Sequence, residues 1–189
     1  MKKGLLIVIS APSGTGKSTL VRRLCEAMPN LIHSISCTTR PKRSSEIDGR
    51  DYHFLSDEAF RRRRDAGDFV ESAEVHGSWY GTLRQPLHDA VALGKSMILD
   101  IDIQGGMAMK AAFPEALTIF LLPPDLDELE ERLRRRGTDD PRQVKLRLAN
   151  AQRELAAQHA YDVRLVNDDL EKAVRELRRL IERAERSRH

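Results

Sequence analysis

The stretch Ser10-Ala11-Pro12-Ser13-Gly14-Thr15-Gly16-Lys17-Ser18-Thr19 follows directly on the apolar run Leu5 to Ile9. Residue types in this order bind anions. Glycines let the backbone curl so that successive N–H groups point inward, a lysine reaches the β/γ oxygens of a nucleoside triphosphate, and the next hydroxyl can ligate Mg²⁺. Ala11 to Thr19 are therefore candidate ATP-binding residues, with Lys17 the candidate catalytic cation and Ser18 a candidate metal ligand. Ala11 stands where the strict pattern G-x-x-x-x-G-K-[ST] has its first glycine, a change that a negative φ accommodates. The Gly16-Lys17-Ser18 end is intact.

Such a loop works only between a strand and the N-terminus of a helix. Leu5 to Ile9, Met97 to Leu99, Leu117 to Leu122 and Val163 to Val166 are short apolar runs of the kind that read as strands buried on both faces, and amphipathic stretches separate them. The alternation predicts an α/β fold. Asp125 with Glu128 opens a helix carrying Leu126, Leu129 and Leu133 that Gly137 would end, and Asp140-Pro141 opens another carrying Val144, Leu148, Ala151 and Leu155. Asp168 and Glu171 read as the D-x-x-E start of a C-terminal helix with Leu170, Val174, Leu177 and Ile181 on its inner face. Residues 33–86 break the rhythm: a helix from Asp57 to Ala66 stands among short apolar segments around Ile35, Tyr52 to Leu55 and Phe69 to Val75. The chain thus divides into a phosphate-binding core (1–32 and 87–189), an inserted substrate-binding part (33–86) and an arginine-bearing lid within about 125–150.

A chain of 189 residues builds one substantial core with room for a small insertion. Its 32 Lys and Arg nearly balance 29 Asp and Glu, and aromatic residues make up 5%. Arginines set among balancing acids suit recognition of small phosphate ligands, whereas a polynucleotide binder favours an excess basic stripe interleaved with aromatics, so no nucleic-acid partner is expected. Cys25 and Cys37 form no C-x-x-C pair and the six histidines no ligand spacing, which argues against a disulfide framework or structural zinc and for a reducing cytoplasm. Leu5 to Ile9 is too short to span a bilayer, so no membrane partner or export is expected. Oligomeric state is not legible.

A second constellation lies in the inserted part. Ser34-Ile35-Ser36-Cys37-Thr38-Thr39-Arg40-Pro41-Lys42-Arg43 is followed by Glu46 to Phe54, by Phe69-Val70-Glu71 and by Gly77 to Thr82. Leu99-Asp100-Ile101-Asp102-Ile103-Gln104-Gly105, Arg135-Arg136-Gly137-Thr138 and Val166-Asn167-Asp168-Asp169 come after them in order. Together these resemble the guanylate kinase family over nearly the whole chain. The resemblance implies a P-loop kinase fold: a central parallel sheet flanked by helices, an inserted small mixed α/β GMP-binding subdomain and a helical lid. It implies transfer of the γ-phosphoryl group of ATP to GMP or dGMP with Mg²⁺. Arg40, Arg43, Tyr52 and Tyr80 would hold the GMP phosphate; Ser36, Glu71, Gly81, Thr82 and Asp102 would lie on the guanine side. Arg40, Arg136 and Arg147 join Lys17 as catalytic residues, Arg136 and Asn167 also contact ATP, and Asp100 meets Mg²⁺ through water, with Asp102 open to either role.

Guanine suits such a pocket. Its adjacent N1–H and N2–H₂ donors match one carboxylate and its O6 matches a hydroxyl, while adenine presents a lone pair at N1 that a carboxylate repels. The chain departs from the family pattern at Pro41-Lys42 and Ser44-Ser45, where relatives usually carry proline beside the second arginine and a glycine soon after. A kinase for another phosphorylated acceptor shares the loop and lid, and a non-catalytic peptide-binding module shares the overall pattern.

Overall fold

A computed structural model describes residues 4–75, 77–135 and 140–187. The elements in chain order are β1 (Leu6–Ser10), α1 (Lys17–Ala27), β2 (Ile32–His33), β3 (Cys37–Thr38), β4 (His53–Phe54), α2 (Asp57–Asp65), β5 (Phe69–Val75), β6 (Ser78–Leu83), α3 (Arg84–Ala92), β7 (Met97–Asp100), α4 (Ile103–Ala112), β8 (Leu117–Leu122), α5 (Leu126–Arg135), α6 (Pro141–Leu155), β9 (Val163–Val166) and α7 (Leu170–Arg186). Five strands form a sheet of order β2-β7-β1-β8-β9 in which every pairing is parallel. The central strands β1, β7 and β8 are buried on both faces and read as near-continuous apolar runs, while the edge strands β2 and β9 are partly exposed. Ile7 and Ile9 face a cluster with Leu20, Leu24, Leu177 and Ile181 of α1 and α7; Leu6 and Val8 face Leu87, Leu99 and Met109.

The second sheet has order β4-β3-β6-β5, with β3 parallel to β4 and the other pairings antiparallel. Its own apolar cluster, Cys37, Phe60 and Phe69, is built on stacked rings of Phe60 and Phe69. Ile35 lies between two strands of two residues each, because the chain leaves the parallel sheet after His33 and enters the mixed one at Cys37. The lid helices α5 and α6 bury Leu129, Leu133, Val144 and Ala151 between them. Asp140 caps α6 in a reciprocal capping box with Gln143.

One cap differs from the sequence reading. The C-terminal helix α7 is capped by Asp169, whose carboxylate accepts from the Lys172 N–H at 2.6 Å, and not by Asp168. Asp168 instead takes the Lys172 ammonium at 3.0 Å, an exposed pair one turn long. Both adjacent aspartates can serve as an N-cap by residue type, and the D-x-x-E spacing fits only Asp168. Gly137, the expected end of α5, lies outside the described residues.

Candidate functional site

The C-terminal ends of β1 and β7 open onto a cleft between the two sheets, the usual place for ligands in an open parallel sheet. A cavity of about 400 Å³ occupies it, lined on one side by Ala11 to Thr19 and on the other by Ser36, Tyr52, Glu71 and Tyr80, with Asp100 and Asp102 between. A volume of this size suits a small-molecule site.

The phosphate loop has the backbone that its sequence demands. Gly14 and Gly16 sit at φ 94° and 91°, where an L side chain is strained. A Cβ on Gly14 would also meet Leu129 and Leu133 of α5 at about 3 Å, and one on Gly16 would stand 2.8 Å from Asn167 Nδ2. α1 begins at Lys17 with neither a side-chain cap nor an acidic first turn, which leaves its N-terminal N–H groups and positive dipole end available to an anion. The Lys17 ammonium lies 2.6 Å from Asp100 Oδ1 and donates to the Ile101 carbonyl at 2.6 Å. Burial opposes the charge on Asp100, but the Lys17 ammonium and the Ser18 hydroxyl outweigh it and hold the carboxyl below the ordinary range. A charged, nearly dry carboxylate next to Ser18 at the foot of a phosphate loop is the oxygen donor set that suits Mg²⁺, which keeps waters and phosphate oxygens as most of its ligands. Among the described residues no group of three His, Cys, Asp or Glu side chains converges on a metal position.

Across the cleft, Glu71 on β5 is held by Thr82 on β6, whose hydroxyl donates to Glu71 Oε1 at 2.5 Å. Burial raises the Glu71 pKa above its ordinary value; the Thr82 hydroxyl and backbone oppose this, and the charge of Asp102 adds to it. Asp102 caps α4, accepting from the Gly105 N–H at 2.7 Å, while its own carbonyl accepts from the Ser10 hydroxyl at 3.0 Å. Tyr52 and Tyr80 meet edge to face at 5.9 Å, and burial, helped by the charge of Asp100, pushes the Tyr52 phenol up to about 12. Arg40 lies over the Tyr52 ring, 5.5 Å from its centroid.

The cavity wall thus unites the loop with Ser36, Tyr52, Glu71, Tyr80, Asp100 and Asp102. The remaining site candidates stand around it. Arg40 forms an ion pair with Glu46 at 2.6 Å, and Glu46 also accepts from the Arg43 N–H at 2.8 Å. Arg43 itself is exposed. Arg147 reaches from α6 to the Ser13 hydroxyl at 3.4 Å, and Asn167 Nδ2 donates to the Thr15 carbonyl at 2.7 Å. Gly81 lies away from the cavity: a Cβ there would press on the Phe60 and Phe69 rings at about 3 Å, so its role in the fold is clearance for that cluster. Arg136 lies outside the described residues.

Two residues that the sequence reading did not single out belong to this site. Arg132 lines the cavity and ties three elements together, pairing with Glu128 at 2.8 Å and donating to the carbonyls of Asn167 at 3.1 Å and Thr15 at 3.4 Å. Its i, i+4 spacing from Glu128 and to Arg136 was the signal available. Glu46, the partner of Arg40, is the other. Behind the loop, Gly16, Thr19, Arg132, Asn167 and Leu170 line a smaller recess.

Known proteins resemble this chain in sequence and in fold. A sequence model described as guanylate kinase matches residues 3–184. The guanylate kinase of Nitratidesulfovibrio vulgaris is 49% identical over 177 residues, which cover 94% of this chain and 86% of that one. That of Thermosynechococcus vestitus is 50% identical, covering 90% of each. The crystal structure of guanylate kinase from Anaplasma phagocytophilum superposes with a TM-score of 0.82 at 34% identity, covering 98% of this chain and 88% of that chain. A shikimate kinase from Bacteroides thetaiotaomicron, at 18% identity and a TM-score of 0.55, shares the fold alone. The match of a family model across almost the entire sequence, with relatives at half identity, means that the chain belongs to the guanylate kinase family.

Proposed function

We propose that this protein transfers the γ-phosphoryl group of ATP to GMP, giving ADP and GDP, and so recycles GMP and dGMP in the cytoplasm. The observation that carries the reading is the shared cavity. The phosphate loop and the Glu71 carboxylate line one space, so two nucleotides can lie end to end in it. The triphosphate rests on the loop amides and the α1 N-terminus, its base directed to the recess beside Arg132 and Asn167. The guanine directs N1–H and N2–H₂ at Glu71 and O6 at the Ser36 hydroxyl, with Asp102 at the same end. Residues 33–86 form the unit that carries GMP.

The acceptor oxygen belongs to a phosphate monoester, already anionic near pH 7, so no strong general base is required. Positioning and charge neutralisation do the chemistry. Arg40 and Arg43, with the Tyr52 and Tyr80 hydroxyls, hold the GMP phosphate. Lys17, a short swing from its rest between Asp100 and Ile101, neutralises the β/γ oxygens, and Arg147 of the lid reaches the loop at Ser13. Ser18, and Asp100 through water, would hold Mg²⁺, which supplies charge neutralisation on the phosphates. The lid excludes water from a phosphoryl group that would otherwise be hydrolysed.

The cytoplasmic assignment rests on two free thiols, one of them buried, and on nucleotide substrates. Among the described residues no helix is long and apolar enough to cross a membrane. ADP formation from ATP and Mg²⁺ with GMP, AMP, CMP or UMP as acceptor tests the activity. Rapid turnover with GMP alone is expected; equal rates with AMP would refute the reading.

A further inference from the structure

α4 opens beside Glu71 with Asp102 as cap and two consecutive glycines, Gly105 and Gly106, in its first turn and a half. Helices disfavour glycine relative to alanine, and neither glycine has the positive φ that would call for one. Space is the remaining reason, and the two positions use it differently. A methyl group on Gly106 would collide with the buried Tyr161 hydroxyl and stand 2.6 Å from the Ser10 hydroxyl, both part of the packed core. The three atoms nearest a methyl group on Gly105 all belong to carboxylates: Glu71 Oε2 at 2.8 Å, Glu71 Cδ at 3.1 Å and Asp102 Oδ1 at 3.1 Å.

We propose that Gly105 is a specificity-determining position, its missing side chain setting where the Glu71 carboxylate rests and therefore how it reads the guanine edge. The inference rests on the assignment of Glu71 to guanine. An ordinary contact of 3.4 Å in place of 2.8 Å requires Glu71 Oε2 to move by 0.6 Å. Oε1 is tied to the Thr82 hydroxyl at 2.5 Å, so the carboxylate cannot retreat as a body and must turn about that bond. Two parallel hydrogen bonds to N1–H and N2–H₂ need the carboxylate in the plane of the base, and a turned plane loses one of them. Because Glu71 Oε2 ends a flexible side chain, the fold absorbs the methyl group while base recognition does not.

The test compares the full-length parent, Gly105→Ala and Gly106→Ala by initial rates with GMP and with AMP, by KM for ATP, and by thermal midpoint. In Gly105→Ala, kcat/KM for GMP is expected to fall about 10-fold or more and the preference for GMP over AMP to shrink. KM for ATP should stay within about 2-fold, and the midpoint should be unchanged or higher because alanine favours the helix. Gly106→Ala is expected to lower the midpoint. A Gly105→Ala protein with the parent's GMP kinetics overturns the proposal. So does one that fails to fold or loses ATP and GMP affinity alike, since the methyl group would then disturb the fold and not the base pocket. A parent that phosphorylates GMP beside an unaffected Gly105→Ala sinks this inference alone; a parent inactive on GMP sinks the functional reading and this inference with it.

Discussion

The Thr82 hydroxyl donates to Glu71 Oε1 at 2.5 Å across the β5–β6 pair, and Thr82 is fully buried. The bond opposes the upward push of burial on the Glu71 pKa and fixes one carboxylate oxygen, with a lone pair of Oε1 and all of Oε2 left for the ligand. Sheet register supplies the geometry, since Glu71 and Thr82 are direct cross-strand partners.

Thr82→Val keeps the shape and removes the donor. Hydrogen bonds to charged groups are worth about 1.5–3 kcal/mol, and here that loss should appear as a higher KM for GMP. Expected values of kcat and of KM for ATP lie near the parent's. Steady-state kinetics with each substrate varied in turn checks this.

Lys17 and Asp100 are each less than one-fifth exposed and neutralise one another, so Lys17→Ala removes a catalytic cation and also strands a carboxylate. Turnover should fall by at least about 100-fold, and stability by about 1–3 kcal/mol. Adding Asp100→Asn should restore most of the stability and none of the turnover. Parallel measurement of urea midpoints and kcat for single and double variants separates the two effects.

Glu71 gives a pH dependence whose sign follows from its raised pKa. Accepting two donors from guanine requires the ionised carboxylate, so KM for GMP should climb on acidification starting above the ordinary glutamate value of 4.5. The GMP phosphate titrates near pH 6 and adds its own limb, which Glu71→Gln retains while losing the glutamate's. For stability the linkage runs the other way: the folded chain holds the Glu71 proton more tightly than the unfolded one. Stability from this group is full below its unfolded pKa and is lost as pH rises through the folded pKa. Glu71→Gln should therefore be as stable as the parent at pH 4 and at least as stable at pH 7, by thermal melting at both.

Much of this was legible from residue order. β8 and β9 fall where their apolar runs end, and Gly14-Thr15-Gly16-Lys17 dictates both the loop's backbone and its ligand class. The inserted part is less legible. Its strands β3 and β4 have two residues each, too short for periodicity, and Glu71 looks like any strand acid until Thr82 and Asp102 stand around it. Arg132 is not legible in the sequence because its role depends on the loop lying against α5, nor is Glu46, whose meaning comes from Arg40 six residues away. Gly81 looks like part of a binding signature, yet the space it leaves is filled by Phe60 and Phe69.

Specificity for GMP depends on Glu71 reading guanine within the space that the phosphate loop shares. The most direct measurement is kcat/KM for GMP and for AMP in the parent and in Glu71→Gln. The variant loses the charge and one of two hydrogen bonds, so its kcat/KM for GMP should drop by roughly 2–4 kcal/mol, while AMP, no longer facing a carboxylate, loses little or gains. A variant with the parent's preference for GMP over AMP would contradict the account.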